Sequence, residues 1–73
     1  MRRSFYCSRN DRLARIARKK GHYVAVRGGR MVVTITSPAP HADFRSLQVA
    51  AGGAVTVFSV DGAPFEKAKG AWL

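Results

Sequence analysis

The sequence has few cysteines, few acidic side chains and no long apolar run. Cys7 is its only cysteine, which excludes a disulfide within the chain and hence a disulfide-stapled secreted scaffold. Neither His22 nor His41 has metal-ligand spacing from Cys7, so we expect no metal site and predict Cys7 to be a small buried hydrophobe. No apolar run reaches the ~18 residues that a membrane span needs. No apolar stretch follows Arg2 and Arg3 as in a signal peptide, so we expect no membrane association and a cytoplasmic location.

The chain is also short, and its 73 residues predict one small domain, 1–73. A domain of this size buries only about 60% of the surface that its unfolded chain exposes, which leaves little room for a cofactor cleft. The sequence shows no nucleophile elbow, no Walker-type phosphate loop and too few acidic residues for an evident carboxylate pair. We therefore expect no catalytic residues and no cofactor, and predict a monomer that acts by binding a partner and is not an enzyme.

Positive charge is abundant and unevenly distributed. The 13 Lys and Arg residues outnumber the 4 Asp and Glu residues, for a net charge of +9. Residues 1–30 hold ten Lys or Arg and one Asp, whereas residues 31–73 hold three of each sign. The whole net charge therefore lies in the first 30 residues. Such an asymmetry predicts an anionic partner: nucleic acid, an acidic protein surface or anionic lipid.

Residues 8–20 have the pattern of an amphipathic helix. Ser8 is a candidate N-cap, Asp11 follows it three residues later, and Gly21 is a natural stop. The apolar stripe that we expect to face the core is Leu13, Ile16 and Ala17. Arg12, Arg15 and Lys19 fall on a different side of this helix. We therefore predict a helix with one apolar side and one basic side.

Residues 22–36 have the composition of a β-hairpin. HYVAVR and RMVVTIT are rich in Val, Ile, Tyr and Thr, and Gly28-Gly29 between them suits a type I′ turn. Arg27 and Arg30 flank this turn, and we expect them to face each other across the two strands. Like charges in that position cost a little stability, and a bound anion would relieve the cost.

The remaining segments have weaker signals. Basic termini are often mobile, but Phe5, Tyr6 and Cys7 are apolar enough to hold residues 1–7 in place. Residues 63–73 are expected to be flexible unless Phe65 or Trp72 packs on the core, and we expect a loop over 37–43. Residues 44–51 suit either a helix that Gly52 ends or a strand that pairs with 54–60, and we favour the hairpin. Asp61-Gly62 is a predicted turn. The predicted fold is α+β: an N-terminal helix packed on a small antiparallel sheet of three to four strands.

The basic N-terminal segment is the predicted partner-binding surface. We expect its contact residues to be Arg2, Arg3, Phe5, Tyr6, Arg9, Arg12, Arg15, Arg18, Lys19 and Lys20. These side chains can neutralise phosphates, or they can pair with carboxylates on a protein, where Arg and aromatic residues are enriched at interface centres. No helix-turn-helix, zinc finger or paired-aromatic RNA platform is evident in the sequence.

In length, charge and its run MRRSFYCSRNDRLARIARKK, the chain resembles the small phage-encoded regulators that bind host bacterial RNA polymerase. The resemblance implies a transcription regulator that inhibits host initiation and promotes terminator readthrough, binding the polymerase on its β′ side near the RNA exit. The alternative is a general DNA- or RNA-binding protein that uses the same basic helix. A looser similarity to HicA-type toxin nucleases, through the predicted order of helix, Gly21, His22 and hairpin, would make His22 catalytic, but the motif around it matches poorly.

Overall fold

A computed structural model describes residues 2–53 and 55–61. Six elements follow one another: β1 (Arg3–Ser8), α1 (Asp11–Lys19), β2 (Tyr23–Arg27), β3 (Arg30–Ile35), α2 (Pro40–Ala50) and β4 (Val57–Val60). The strands form one antiparallel sheet in the order β2-β3-β1-β4. This β-α-β-β-α-β arrangement is the ferredoxin-like topology. The predicted α+β class, with an N-terminal helix on an antiparallel sheet of up to four strands, is confirmed.

Residues 3–8 form a central strand, which the sequence pattern did not predict for this part of the chain. Phe5 and Cys7 are buried, while Ser4, Tyr6 and Ser8 alternate with them on the other side of the strand. β1 pairs with β3 on one side and with β4 on the other. Two neighbouring strands therefore hold a segment whose basic composition alone indicates mobility.

The first helix begins later than the sequence pattern predicts. Asn10 is the N-cap, and its side-chain oxygen accepts a hydrogen bond from the backbone N–H of Leu13 at 2.9 Å. Ser8 instead ends β1, and its Oγ accepts a hydrogen bond from the N–H of Thr56. The predicted Ser8 cap is therefore wrong, because β1 occupies the residues that would have begun the helix. Gly21 follows the helix with a φ of +90°, as expected for a helix stop.

The predicted hairpin at 22–36 is confirmed as β2 and β3, and Arg27 lies directly opposite Arg30. Its turn differs from the expected type. Gly28 has a φ of +59°, whereas Gly29 is not in the positive-φ region. A positive φ at the first central residue alone fits a type II′ turn rather than type I′.

The largest correction concerns residues 40–50, which form α2 and not a strand. Pro40 occupies the first turn, where its missing N–H is harmless. Phe44 and Leu47 are buried three residues apart, and Ala51, which is the C-cap, follows on the same side of the helix. The predicted loop therefore ends at Ala39. The helical alternative for 44–51 is confirmed, and the favoured second hairpin is wrong.

Both helices pack on one face of the sheet. The buried core joins β1 and β3 to both helices and consists of Phe5, Cys7, Leu13, Ala14, Ala17, Met31, Val33, Ile35, Phe44, Leu47 and Ala51. The rings of Phe5 and Phe44 stack with centroids 4.4 Å apart and planes at 9°. Leu13 and Ala17 are in the core as predicted. Ala14 joins them, and Ile16 is only partly buried.

β4 confirms part of the strand predicted over 54–60. In its pairing with β1, Val60 lies opposite Phe5, Ser59 opposite Tyr6 and Val57 opposite Cys7. The register therefore shifts between Tyr6 and Cys7, and Phe58 is the extra residue in β4. Asp61 then turns the chain with a φ of +59°. The predicted roles of Gly62, of residues 63–73 and of Trp72 lie outside the described residues.

Candidate functional site

The face of the sheet opposite the core is a solvent-facing surface, here called the open face. Its residues follow from strand alternation and from the pairing of Ser4, Tyr6 and Ser8 with Thr34, Val32 and Arg30. β2 continues each row, because Thr34, Val32 and Arg30 pair in turn with Tyr23, Ala25 and Arg27. The open face therefore carries aromatic rings, hydroxyl groups and two arginines across three adjacent strands.

One end of the open face combines positive charge with an aromatic ring. The guanidinium carbon of Arg30 lies 4.6 Å from the ring centroid of Phe58, which places a cation–π pair across β3, β1 and β4. Arg27, on β2, lies opposite Arg30 and is exposed. Two guanidinium groups and a partly exposed ring thus lie next to one another.

The other end of the open face is polar. Tyr23 is 70% exposed and pairs with Thr34, which in turn pairs with Ser4. The hydroxyl oxygens of Ser4 and Thr34 are 3.0 Å apart. These residues line a cleft of about 440 Å³, here called the hydroxyl cleft, whose lining is completed by Arg2, Gly21 and Thr36. A cleft of this volume falls within the size range of small-ligand sites.

An ion pair joins the start of β1 to the residue that follows β4. Arg3 donates a hydrogen bond to the carboxylate of Asp61, and the backbone N–H of Ser4 donates to its other oxygen at 3.2 Å. These two hydrogen bonds, first that from Arg3 and then that from Ser4, lower the pKa of Asp61 below its ordinary value. The positive charge of Arg3 is therefore directed at Asp61.

The exposed side of α1 is a second cationic surface, here called the basic helix surface. It consists of Arg12, Arg15, Arg18, Lys19 and Lys20, all of them at least partly exposed. Arg12, Arg15 and Lys19 lie at i, i+3 and i+7, on the side of the helix opposite Leu13, Ala14 and Ala17, which are buried. Because α1 packs on the core side of the sheet, this surface and the open face point in opposite directions.

The structure therefore separates the ten predicted contact residues. Arg2 and Tyr6 lie on the side of the open face, whereas Phe5, which is 3% exposed, belongs to the core. Arg9 is held between α1 and the hairpin: its Nε donates to Asp11 at 2.9 Å, and its Nη1 donates to the carbonyl of Gly28 at 3.3 Å. Arg3 pairs with Asp61. The remaining five residues form the basic helix surface.

The predicted contact residues did not include four residues of the open face: Tyr23, Arg27, Arg30 and Phe58. Of these, Arg27 and Arg30 were predicted to face each other at the turn, where a bound anion would relieve their repulsion. Alternation within HYVAVR and RMVVTIT places Tyr23, Arg27 and Arg30 on one face once the hairpin register is fixed. Phe58 joins them only through the pairing of β4 with β1, which are some fifty residues apart in sequence, and through the local register shift. The hairpin signal could have identified three of the four residues; the sequence carried no signal for the fourth.

The structure also locates the cysteine and the histidine that the sequence singled out. Cys7 is fully buried as predicted, and burial raises the pKa of its thiol to about 11, far from the range of a reactive thiolate. Within residues 2–53 and 55–61, no three His, Cys, Asp or Glu side chains lie together as a metal site would require. His22 precedes β2, and its N–H donates to the carbonyl of Ala17. β1 also precedes α1, unlike the helix-first order on which the toxin-nuclease similarity rested.

The fold and the site define a small α+β protein with a ferredoxin-like topology and two cationic surfaces. No protein-family model, curated protein or solved structure matches the chain. Among the described residues, neither helix is long and apolar enough to cross a membrane.

Proposed function

We propose that this protein binds single-stranded nucleic acid on the open face of its sheet. The observation that carries the proposal is the cation–π pair of Arg30 and Phe58 beside Arg27, on a face that α1 and α2 leave uncovered. Aromatic rings on a sheet stack with unpaired bases, and neighbouring arginines bind the phosphates between those bases.

The like-charge pair at the hairpin turn supports the same function. Arg27 and Arg30 lie directly opposite each other and repel. A phosphate between them would remove the repulsion and accept hydrogen bonds from both guanidinium groups. An arrangement that is unfavourable in the free protein and favourable with an anion is expected of a binding site.

The experiment compares two double variants that lose equal charge. Arg27→Ala/Arg30→Ala removes two arginines from the open face, and Arg12→Ala/Arg15→Ala removes two from the basic helix surface. Binding of a short labelled single-stranded oligonucleotide is measured by fluorescence anisotropy over a range of salt concentrations, with a duplex of the same sequence as competitor.

We expect the open-face variant to bind at least tenfold more weakly. The slope of log affinity against log salt concentration should become shallower by about 0.7 for each phosphate that the variant no longer neutralises. The helix variant should lose much less affinity, and the duplex should compete weakly. Equal losses in the two variants would show that binding depends on net charge and not on the open face. A larger loss in the helix variant would transfer the site to α1.

A second candidate is binding of bacterial RNA polymerase through the basic helix surface, with the inhibition of initiation and the terminator readthrough that the phage-regulator resemblance implies. The observation that favours it is the stripe of Arg12, Arg15 and Lys19, which points away from both the core and the open face. The salt bridges of the described residues join Arg3 to Asp61 and Arg9 to Asp11, and neither includes a residue of this stripe. Arginines suit bidentate pairing with carboxylates on a protein partner.

This candidate is tested by pull-down from a nuclease-treated bacterial lysate, with identification of retained polymerase subunits by mass spectrometry. Arg12→Glu/Arg15→Glu should abolish retention of the polymerase, and Arg27→Glu/Arg30→Glu should not. Acidic residues in the first turns of a helix interact favourably with its dipole, so the helix variant should remain folded. Loss of all capture after nuclease treatment would eliminate the polymerase and leave nucleic acid as the partner.

A further inference from the structure

The hydroxyl cleft lies on the open face at the end away from Arg30 and Phe58. Tyr23, Thr34 and Ser4 form one row across β2, β3 and β1. Arg2 and Thr36 extend the cleft beyond the ends of β1 and β3. The cleft is therefore continuous with the proposed nucleic-acid surface but differs from its Arg30 end in chemistry.

The lining of the cleft supplies three kinds of contact. Tyr23 presents a ring that is 70% exposed, Arg2 supplies a cation, and Ser4, Thr34 and Thr36 supply hydroxyl groups. A base can stack on an exposed ring, and a phosphate can pair with a guanidinium group. The volume of about 440 Å³ is large enough for one nucleotide. The carboxylate of Asp61, which accepts from the N–H of Ser4, is already paired with Arg3.

The Ser4–Thr34 hydroxyl pair has the hydrogen-bonding groups needed to distinguish RNA from DNA. Ser4 Oγ and Thr34 Oγ1 are 3.0 Å apart, and either of them can be the donor. Each hydroxyl has one donor hydrogen and two acceptor lone pairs, so the pair can still donate one hydrogen bond and accept others. The ribose 2′-OH is itself both a donor and an acceptor, and deoxyribose lacks it.

We infer that the hydroxyl cleft is a ribonucleotide subsite, with the base on Tyr23, the phosphate on Arg2 and the 2′-OH on the Ser4–Thr34 pair. The inference rests on the proposed binding of single-stranded nucleic acid and makes RNA the preferred substrate. One additional hydrogen bond predicts a preference for RNA over DNA of about threefold to tenfold.

The test uses the full chain and two labelled oligonucleotides of equal length, oligo(rU) and oligo(dU), which differ only in the 2′-OH. The unaltered protein should bind oligo(rU) about threefold to tenfold more tightly. Thr34→Val removes one hydroxyl from the pair and retains a β-branched side chain that suits a strand. This variant should lose the preference for RNA and bind the two oligomers about equally. Thr56→Val is the matched control, because Thr56 is exposed and bonds to Ser8 at the opposite end of β1.

A second variant avoids the strands altogether. Arg2 precedes β1 and is exposed, so Arg2→Gln should leave the fold intact and weaken the binding of both oligomers about equally. Free UMP is included as a competitor and should not displace oligo(rU) at concentrations comparable with the oligomer. Displacement at such concentrations would make the cleft a free-nucleotide site and overturn the inference.

The remaining outcomes separate the two proposals. Equal binding of oligo(rU) and oligo(dU) by the unaltered protein would overturn the ribonucleotide subsite and leave the proposed function standing. A preference for RNA that persists in both Thr34→Val and Ser4→Ala would mean that another part of the surface reads the 2′-OH, and would also overturn the subsite. Failure to bind either oligomer would overturn the proposed function itself.

Discussion

Arg27 and Arg30 lie directly opposite each other at the end of the β2–β3 hairpin, and Arg30 is also in cation–π contact with the ring of Phe58. The contact with the ring compensates part of the repulsion between the two guanidinium groups. A neutral pair at this position would have no such repulsion to compensate.

Replacement of Arg27 by Thr should stabilise the free protein and weaken its binding to single-stranded nucleic acid. Removing the like-charge pair should raise the free energy of unfolding by about 0.2–1 kcal/mol at low salt. Urea denaturation at low and high salt measures this gain, which should shrink as salt screens the repulsion. A gain that is equal at both salt concentrations would reflect the strand propensity of Thr and not the charge pair.

Replacement of the open-face rings by Leu should lower affinity, and at Tyr23 it should do so with little effect on stability. Base–aromatic stacking contributes about 1–3 kcal/mol per base, so Tyr23→Leu or Phe58→Leu should weaken binding severalfold or more. Tyr23 is 70% exposed, and its replacement should change the free energy of unfolding by less than about 0.5 kcal/mol. Val49→Ala is the control, because Val49 is 72% exposed on α2, away from the sheet face. An oligonucleotide affinity that is the same in all three variants would contradict stacking on the open face.

The sequence predicted the elements that depend on neighbouring residues better than those that depend on residues far apart in the chain. The β2–β3 hairpin depends on neighbouring residues and on Gly28-Gly29, and the sequence pattern identified it together with α1. The strand at Arg3–Ser8 was missed because its partners, β3 and β4, lie far along the chain, and its basic composition indicates mobility. The helix at Pro40–Ala50 was only the less favoured alternative, because prolines before it and glycines after it also suit a loop and a hairpin.

The candidate site was predicted less well than the fold, for the same reason. Charge placed the contact residues on the whole N-terminal segment, and five of those ten residues form the basic helix surface. The open face is defined by the residues that alternate toward solvent and by the pairing of four strands. The charge distribution of the sequence contains no information on either. Phe5 and Tyr6 illustrate the difference, because they are adjacent in sequence yet lie on opposite faces of β1.

The ion pair of Arg3 and Asp61 should make stability fall in acid. The hydrogen bonds from Arg3 and Ser4 lower the pKa of Asp61 in the folded state. The stabilisation is therefore present above the ordinary Asp pKa of about 3.9 and is lost as pH falls through the lower folded-state value. Asp61→Asn should remove this part of the acid dependence. Asn tolerates the positive φ of +59° at this position, so the backbone turn should persist.

The measurement is the free energy of unfolding from urea titrations between about pH 2 and pH 6, in the unaltered protein and in Asp61→Asn. The two curves should converge at the acid end and separate as pH rises. Arg3→Gln provides an independent check, because loss of the first hydrogen-bond donor should raise the pKa of Asp61 toward its ordinary value. Parallel curves over the whole range would show that this ion pair does not contribute to folding.

The thiol of Cys7 should be chemically inert until the protein unfolds. Its side chain is fully buried in the core, and burial raises the pKa of the thiol to about 11. A group whose pKa is raised in the folded state stabilises the fold below its unfolded pKa, and this stabilisation is lost as pH rises toward the folded value. Stability should therefore decrease between about pH 9 and pH 11, and Cys7→Ala should lack this decrease.

Two measurements check the behaviour of Cys7. Alkylation by iodoacetamide near pH 8 should be slow in the native protein and fast in urea, because the thiolate is the reacting form and the buried group is neutral. Cys7→Ser should be less stable than Cys7→Ala, since it places a hydroxyl among apolar side chains at a cost of about 1–3 kcal/mol. Both variants should retain oligonucleotide binding wherever they are folded. Rapid alkylation of the native protein, or loss of binding in folded Cys7→Ala, would place the thiol at a functional surface instead of in the core.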